Sequence, residues 1–250
     1  MSHRRIGVLV PAGNTLHARE FVALEAMAPP ASPVEFVFRD FSYPAAGVGD
    51  FCSALARQFA PPLAELRAAG VSAVLIGCTA ASMRCASPAY DAALAELAGA
   101  PVITAAGATR WALHALGLQR IVVATPYGAA SNTIVGDYLE SLGVTVAAIE
   151  GFGYDASPEI WAREVPQVDG PRGVEFALQI ESRAAAPAVQ GVYFPCTGMA
   201  SVEAIGAYET RTGRVAIGSV LAGYWATLGL LGLLAPAPAG PKLLAAPFRR

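Results

Sequence analysis

The chain of 250 residues is almost without lysine: of its 17 basic residues 16 are arginine, and the one lysine, Lys242, stands in a Pro-rich tail. That shortage excludes a Walker A loop, whose lysine reaches the phosphates, and a pyridoxal enzyme, whose lysine forms the Schiff base. Charge is scarce as well, at 14% of residues, and nearly balanced at a formal net charge of −2. No Lys/Arg run tracks a phosphate backbone, so nucleic acid is not an expected partner. Cysteine is rare. Cys52, Cys78, Cys85 and Cys196 show neither the close pairs of a zinc site nor the density of a disulfide scaffold, and all four read as reduced thiols. The longest apolar stretch, Val220 to Ala235, is broken by Gly223, Gly229 and Gly232 and falls short of the roughly 20 residues that span a bilayer, so it reads as a buried helix and no membrane is implied. The basic start, Met1-Ser2-His3-Arg4-Arg5, precedes only Ile6 to Val10 before Pro11 and Gly13, which implies no export and a cytoplasmic setting. His3, His17 and His114 have no metal spacing, and His114, inside an Ala/Leu helix, reads as packed.

What the chain does have is apolar residue, 54% of the total, in short β-branched runs alternating with Ala/Leu-rich helical patterns. This is the pattern of βαβ units around a mostly parallel sheet. Strands are expected at 5–10, 34–38, 72–77, 101–104, 120–124, 144–149, 190–194 and 214–217, and helices at 17–28, 50–69, 88–98, 107–117, 131–142, 172–185, 200–212 and 220–234. The second half repeats the first. Arg5 to Pro11 with Asn14-Thr15 returns as Arg120 to Pro126 with Asn132-Thr133; Ala73 to Thr79 with Ser82 returns as Gly191 to Thr197 with Ser201; Ile103 and Trp111 return as Ile217 and Trp225. The offsets are 115, 118 and 114 residues, as a duplication with small loop changes requires. The expected architecture is α/β: two similar parallel-sheet domains related by a pseudo-twofold axis, with the active site between them. Residues 1–106 plus 216–234 form the first domain, 107–215 the second, and 235–250 a tail that is either a disordered end or a strap across a partner in a homo-oligomer.

Ligands of open α/β sheets bind at the carboxyl ends of the strands. Cys78 and Cys196 both stand there, each closing an apolar strand and each expected to lead into a new helix, so the pseudo-dyad sets them on opposite walls of one cleft. A helix N-terminus lowers a thiol pKa from about 8.5, and two opposed thiols can divide the work of base and acid. Backbone amides at Thr79 and Ala80 and at Thr197 and Gly198 make anion cradles suited to a carboxylate. Asn14 and Tyr127, at equivalent places in the two halves, add an amide and a phenol. Asn132-Thr133 reads as a helix cap. Gly151-Phe152-Gly153-Tyr154-Asp155-Ala156 fits G-x-G-x-x-A, but Pro158 delays the helix and no acidic strand end follows, which argues against a dinucleotide. Cys52 reads as core, and Cys85 has no assigned role.

At Cys78-Thr79 and Cys196-Thr197, with Gly7 to Thr15 and Ala124 to Tyr127, the chain resembles the aspartate/glutamate racemase superfamily, in its branch of maleate cis–trans isomerases and arylmalonate decarboxylases. The resemblance implies a cofactor-free enzyme of two Rossmann-like domains, with the C-terminal helix packed back on the first and two cysteines flanking a small carboxylate. Carried over by position, it makes Cys78 the nucleophile and Cys196 the acid or base, with Asn14, Tyr127 and the amides after each cysteine holding carboxylate. Two departures stand out. The stretch Tyr154 to Glu159 lacks the further Asn common in the isomerases, and Thr79-Ala80-Ala81-Ser82 stands where they carry bulky aliphatic residues, more like the decarboxylases and racemases; Cys78, in turn, is a residue the decarboxylases typically lack. The leading expectation is thus an isomerase or racemase of a small mono- or dicarboxylate. Decarboxylation of a substituted malonate with one thiol as proton donor, and a non-catalytic carboxylate-binding protein, are the alternatives.

Overall fold

The computed structural model describes residues 4–45, 47–184 and 188–249; the reading of Met1 to His3 as a charged start lies outside them. All eight expected strands form: β1 (Arg4–Pro11), β2 (Val34–Phe41), β3 (Ala73–Ile76), β4 (Val102–Thr104), β5 (Arg120–Thr125), β6 (Thr145–Gly151), β7 (Gly191–Phe194) and β8 (Val215–Gly218). They make two four-stranded sheets, ordered β2-β1-β3-β4 and β6-β5-β7-β8, with every pairing parallel. The identical strand order is what the repeat requires. Helices cover both faces of each sheet, and β3 and β7 are buried at every residue.

The helices are α1 (Leu16–Met27), α2 (Phe51–Ala68), α3 (Thr79–Arg84), α4 (Pro88–Ala98), α5 (Ala105–Ala115), α6 (Ala129–Ser141), α7 (Pro158–Glu164), α8 (Gly170–Arg183), α9 (Val202–Thr212), α10 (Ser219–Leu230) and α11 (Lys242–Ala245). The eight expected helices are present, and α3, α7 and α11 are short additions. Helix α10 is buried from Ser219 through Leu228 and packs on α5 and α1, which is why its sequence is apolar all round. It ends where Gly232 takes a left-handed φ of 66°. Gly223 in α10 is needed for the fit, since a Cβ there would come within 2.8 Å of Leu75 of β3.

Three expectations are corrected by the structure. The tail is neither disordered nor free for a partner: Leu243 and Leu244 are fully buried, Lys242 Nζ donates to the Gly213 and Arg214 carbonyls, and Phe248 packs edge-on against Trp111 and Trp225. Cys52 and Cys85 are not reduced thiols but a disulfide joining the first turn of α2 to the residue closing α3. Their separation of 33 positions hid a pairing that only the tertiary path reveals. His114 is exposed at the end of α5 rather than packed.

Candidate active site

Strand β3 delivers Cys78 at its carboxyl end as the N-cap residue of α3. The turn is tight because Gly77 lies against the His17 imidazole: a Cβ on Gly77 would stand 2.7 Å from His17 Nδ1. His17 is fully buried, neither ring nitrogen has a partner, and its ring meets Phe21 edge-on. Burial alone pushes its pKa down to about 3, so it is a neutral packing group.

Cys196 follows β7 and Pro195, but no helix opens there. Residues 197–201 form a turn and α9 starts only at Val202, which corrects the expected helix after the second cysteine. Cys196 itself has φ +97°, the one left-handed non-glycine among the described residues, a backbone strain of roughly 1–3 kcal/mol that the surroundings must hold. The Gly198 amide points back at the Cys196 sulfur, 3.2 Å away, instead of into the cleft.

The structure brings the two cysteines together as free, buried thiols, 3% and 4% exposed. Each meets a phenol. Tyr43, on the segment after β2, places its hydroxyl 2.8 Å from Cys78 Sγ, and the Tyr127 side chain hydrogen-bonds Cys196. Tyr127 in turn stacks on Trp161 of α7, with ring centroids 5.9 Å apart. Burial pushes the Cys78 thiol above its ordinary value, against the bonds from Tyr43 and the Ala81 amide, and pushes Cys196 up to about 12. Both phenols are raised by burial and by the neighbouring sulfurs. The expected lowering by a helix N-terminus is therefore overturned: α3 spans only Thr79–Arg84, Cys196 has no helix behind it, and desolvation dominates. At rest both sulfurs carry their protons. No cation is among the groups that shift either thiol or either phenol, so a carboxylate here meets neutral donors. Tyr43→Phe removes a bond worth roughly 1.5–3 kcal/mol to the thiolate and should raise the Cys78 pKa by about one to two pH units. The pH midpoint of Cys78 alkylation by iodoacetamide, followed by mass spectrometry, measures this; an unmoved midpoint would show that the phenol does not hold the anion.

Around the sulfurs runs a buried chain of hydroxyls. Tyr193 shares hydrogen bonds with Thr109 and Ser219, Thr79 Oγ1 donates to Ser219 Oγ, and the Cys196 N–H donates to Thr79 Oγ1. Thr197 Oγ1 donates to the Gly77 carbonyl, 2.8 Å away. Asn14 Nδ2 lies 3.1 Å from both the carbonyl and the hydroxyl of Thr197, while its Oδ1 accepts from the His17 amide. Of the residues singled out from sequence, Cys78, Thr79, Cys196, Thr197 and Tyr127 are buried, Ala80, Gly198 and Asn14 partly so, and all lie about this seam. Asn132 is no cap: it lies inside α6 and accepts from Thr125 Oγ1, while Asp155 accepts from the Gly128 N–H and from Ser131 at that helix start.

Sequence reasoning missed Tyr43, Trp161, Ser219 and Glu20. Tyr43 and Trp161 sit outside the repeat and carry no local signal. Glu20 does: His17, Glu20, Phe21 and Leu24 are the buried positions of α1, so a carboxylate stands on an apolar helical stripe. It accepts from the Ser201 and Val202 amides and the Ser201 hydroxyl, and burial pushes its pKa up to about 7 despite them.

This fold has counterparts. A Nocardia farcinica maleate cis–trans isomerase bound to Tris superposes with a TM-score of 0.80 at 24% identity, covering 97% of this chain and 98% of the other. A crystal structure of arylmalonate decarboxylase gives 0.75 at 25% identity, with 96% and 98% covered. In sequence, the arylmalonate decarboxylase of Bordetella bronchiseptica is 29% identical over 144 residues, 58% of this chain, and the match spans 57% of that protein, a little over half its length. Residues 54–244 match the arylmalonate decarboxylase family over most of the chain, and the protein belongs to that family.

Proposed function

We propose that the protein is a cofactor-independent isomerase or racemase of a small mono- or dicarboxylate, in the manner of a maleate cis–trans isomerase, with Cys78 as nucleophile or base and Cys196 as acid. The observation that carries this reading is the pair of buried free thiols, each on its own phenol, at the carboxyl ends of β3 and β7. For cis–trans isomerisation, the Cys78 thiolate adds to one alkene carbon and the π pair moves toward the carboxylate as an enediolate. Cys196 gives its proton to the carbanionic carbon, the new single bond rotates, and once Cys196 has taken the proton back the returning pair expels the thiolate. For racemisation, one sulfur takes the α-proton and the other returns one to the opposite face. In both, Asn14, Tyr127 and the backbone at Thr79, Ala80 and Thr197 hold the carboxylate as charge develops, Asn14 by exchanging its bond to Thr197, while the Gly198 amide stays on the Cys196 sulfur. The high Cys196 pKa suits a proton donor. The boundary expected at 215/216 falls inside β8, which belongs to the second sheet, so we place the domains at 1–106 plus 219–234 and 107–218, with the return to the first made by α10. The setting we infer is a cytoplasmic homo-oligomer.

The family match favours a second reading, decarboxylation of a substituted malonate, in which carbon dioxide leaves and Cys196 protonates the enediolate left behind. NMR of maleate, substituted malonates, hydantoins and amino acids incubated with the protein in deuterium oxide separates the two. Isomerised or α-deuterated products with an intact carbon skeleton are expected. Carbon dioxide release from malonates alone would establish the second reading, and an unchanged panel would leave a binding protein and sink both.

A further inference from the structure

Helix α1 and the turn that leads into it carry two polar side chains that cross to the turn bearing Cys196, and they take it at opposite ends. At one end Asn14, just before the helix, reaches Thr197. At the other, Glu20 Oε1 accepts from the Ser201 N–H at 2.5 Å and the Val202 N–H at 2.8 Å, and Oε2 accepts from the Ser201 hydroxyl at 3.1 Å. Ser201 is the N-cap residue of α9, yet its side chain makes no cap bond of its own. The usual local cap has been given up, and its work is done by a carboxylate from the other half of the molecule. Glu20 is only 6% exposed, and burying a carboxyl group is costly unless its bonds are used. Immediately before the first grip stands Cys196 with its left-handed φ of 97°, a conformation a non-glycine residue keeps only where its surroundings enforce it.

We propose that Glu20 is a positioning residue for Cys196: its three hydrogen bonds hold the far end of the 196–201 turn so that the strained backbone stays in place and the thiol stays buried against Tyr127. The significance for catalysis rests on the two-thiol reading, but the claim concerns the thiol itself and is tested on it. In Glu20→Leu the turn loses its anchor, Cys196 relaxes toward solvent and its reactivity rises. Cys78, held by β3 and α3, is unaffected. In Glu20→Gln the amide oxygen still accepts both backbone N–H groups and the amide nitrogen donates to Ser201 Oγ, so the hold is kept without the charge.

The test is the alkylation rate of each thiol by iodoacetamide in the folded protein, resolved by mass spectrometry of the Cys78 and Cys196 peptides. Glu20→Leu should accelerate Cys196 at least about tenfold and change Cys78 less than about twofold, and Glu20→Gln should restore both to wild-type rates. A merely destabilised protein would expose both cysteines together. An unchanged ratio of the two rates in Glu20→Leu, a parallel rise at both sites, or a Gln variant that behaves like Leu would overturn the proposal. Should Glu20→Leu fail to fold, Glu20→Asp decides: it withdraws the oxygens by one methylene, and a selective rise at Cys196 supports the hold whereas unchanged rates refute it. No substrate enters the assay, so failure of the isomerase reading leaves the result standing.

Discussion

Cys78→Ala and Cys196→Ala are each expected to abolish turnover, with a loss near the upper end of the 10²–10⁴-fold, roughly, that a positioned proton donor or acceptor contributes. Neither change threatens the fold through volume, since each removes one sulfur from a side chain already lined by hydroxyls, and unchanged melting temperatures would verify this. The two variants also separate the chemistries. Isomerisation and racemisation need both sulfurs, whereas decarboxylation needs only the proton donor. A Cys78→Ala protein that still releases carbon dioxide from a malonate, beside an inactive Cys196→Ala, would therefore end the two-thiol mechanism while keeping the site. Retained isomerase or racemase activity in either variant would end it as well. The pH dependence follows in sign from the raised thiols. Because burial holds Cys78 above its ordinary value, the fraction ionised, and the rate with it, should climb through the alkaline range, while Cys196 keeps its proton until about pH 12.

Reduction of the Cys52–Cys85 bond is expected to cost about 3–4 kcal/mol, the loop-closure entropy returned to the unfolded chain by opening a loop of some 34 residues. For a domain of this size that corresponds to a fall in melting temperature of roughly 6–16 °C. Thermal unfolding with and without reductant, and of Cys52→Ser, measures it. A thiol titration of the denatured, unreduced protein should find Cys78 and Cys196 only. A melting temperature indifferent to reductant would show that the bond adds nothing to the folded protein. The bond closes the far end of α3, whose first turn carries Cys78, and Arg84 stacks over Phe51 beside it at 4.2 Å. Its loss is therefore felt along one short helix that ends at a reacting sulfur.

Much of this architecture was legible in the sequence because it depends on period and repetition. The eight strands, the duplicated order and the pairing of Cys78 with Cys196 all follow from apolar runs that recur at a near-constant offset. What was not legible depends on distance in space. Tyr43 reaches Cys78 from the segment after β2, which lies outside the stretches whose sequence repeats. Cys52 meets Cys85 only because α2 lies beside the end of α3. The thiol pKa values ran against expectation because sequence shows the helix that would stabilise an anion but not the water that folding removes. Cys196 was expected to start a helix as Cys78 does; the extra residues between it and α9 make a turn instead, and that difference gives the second thiol its strained backbone.

The buried hydroxyl chain through Thr109, Tyr193, Ser219 and Thr79 to the Cys196 amide, with the Thr197 hydroxyl on Gly77, bears on how a ligand enters. Swinging the two sheets apart as rigid lobes would break those bonds and hand each group to water, at a net loss of about 0.5–1.5 kcal/mol for each bond. The summed loss is a sizeable part of an ordinary domain's stability. Hinge opening is thus an expensive route, and a smaller local movement, such as parting Tyr43 from Cys78, costs less.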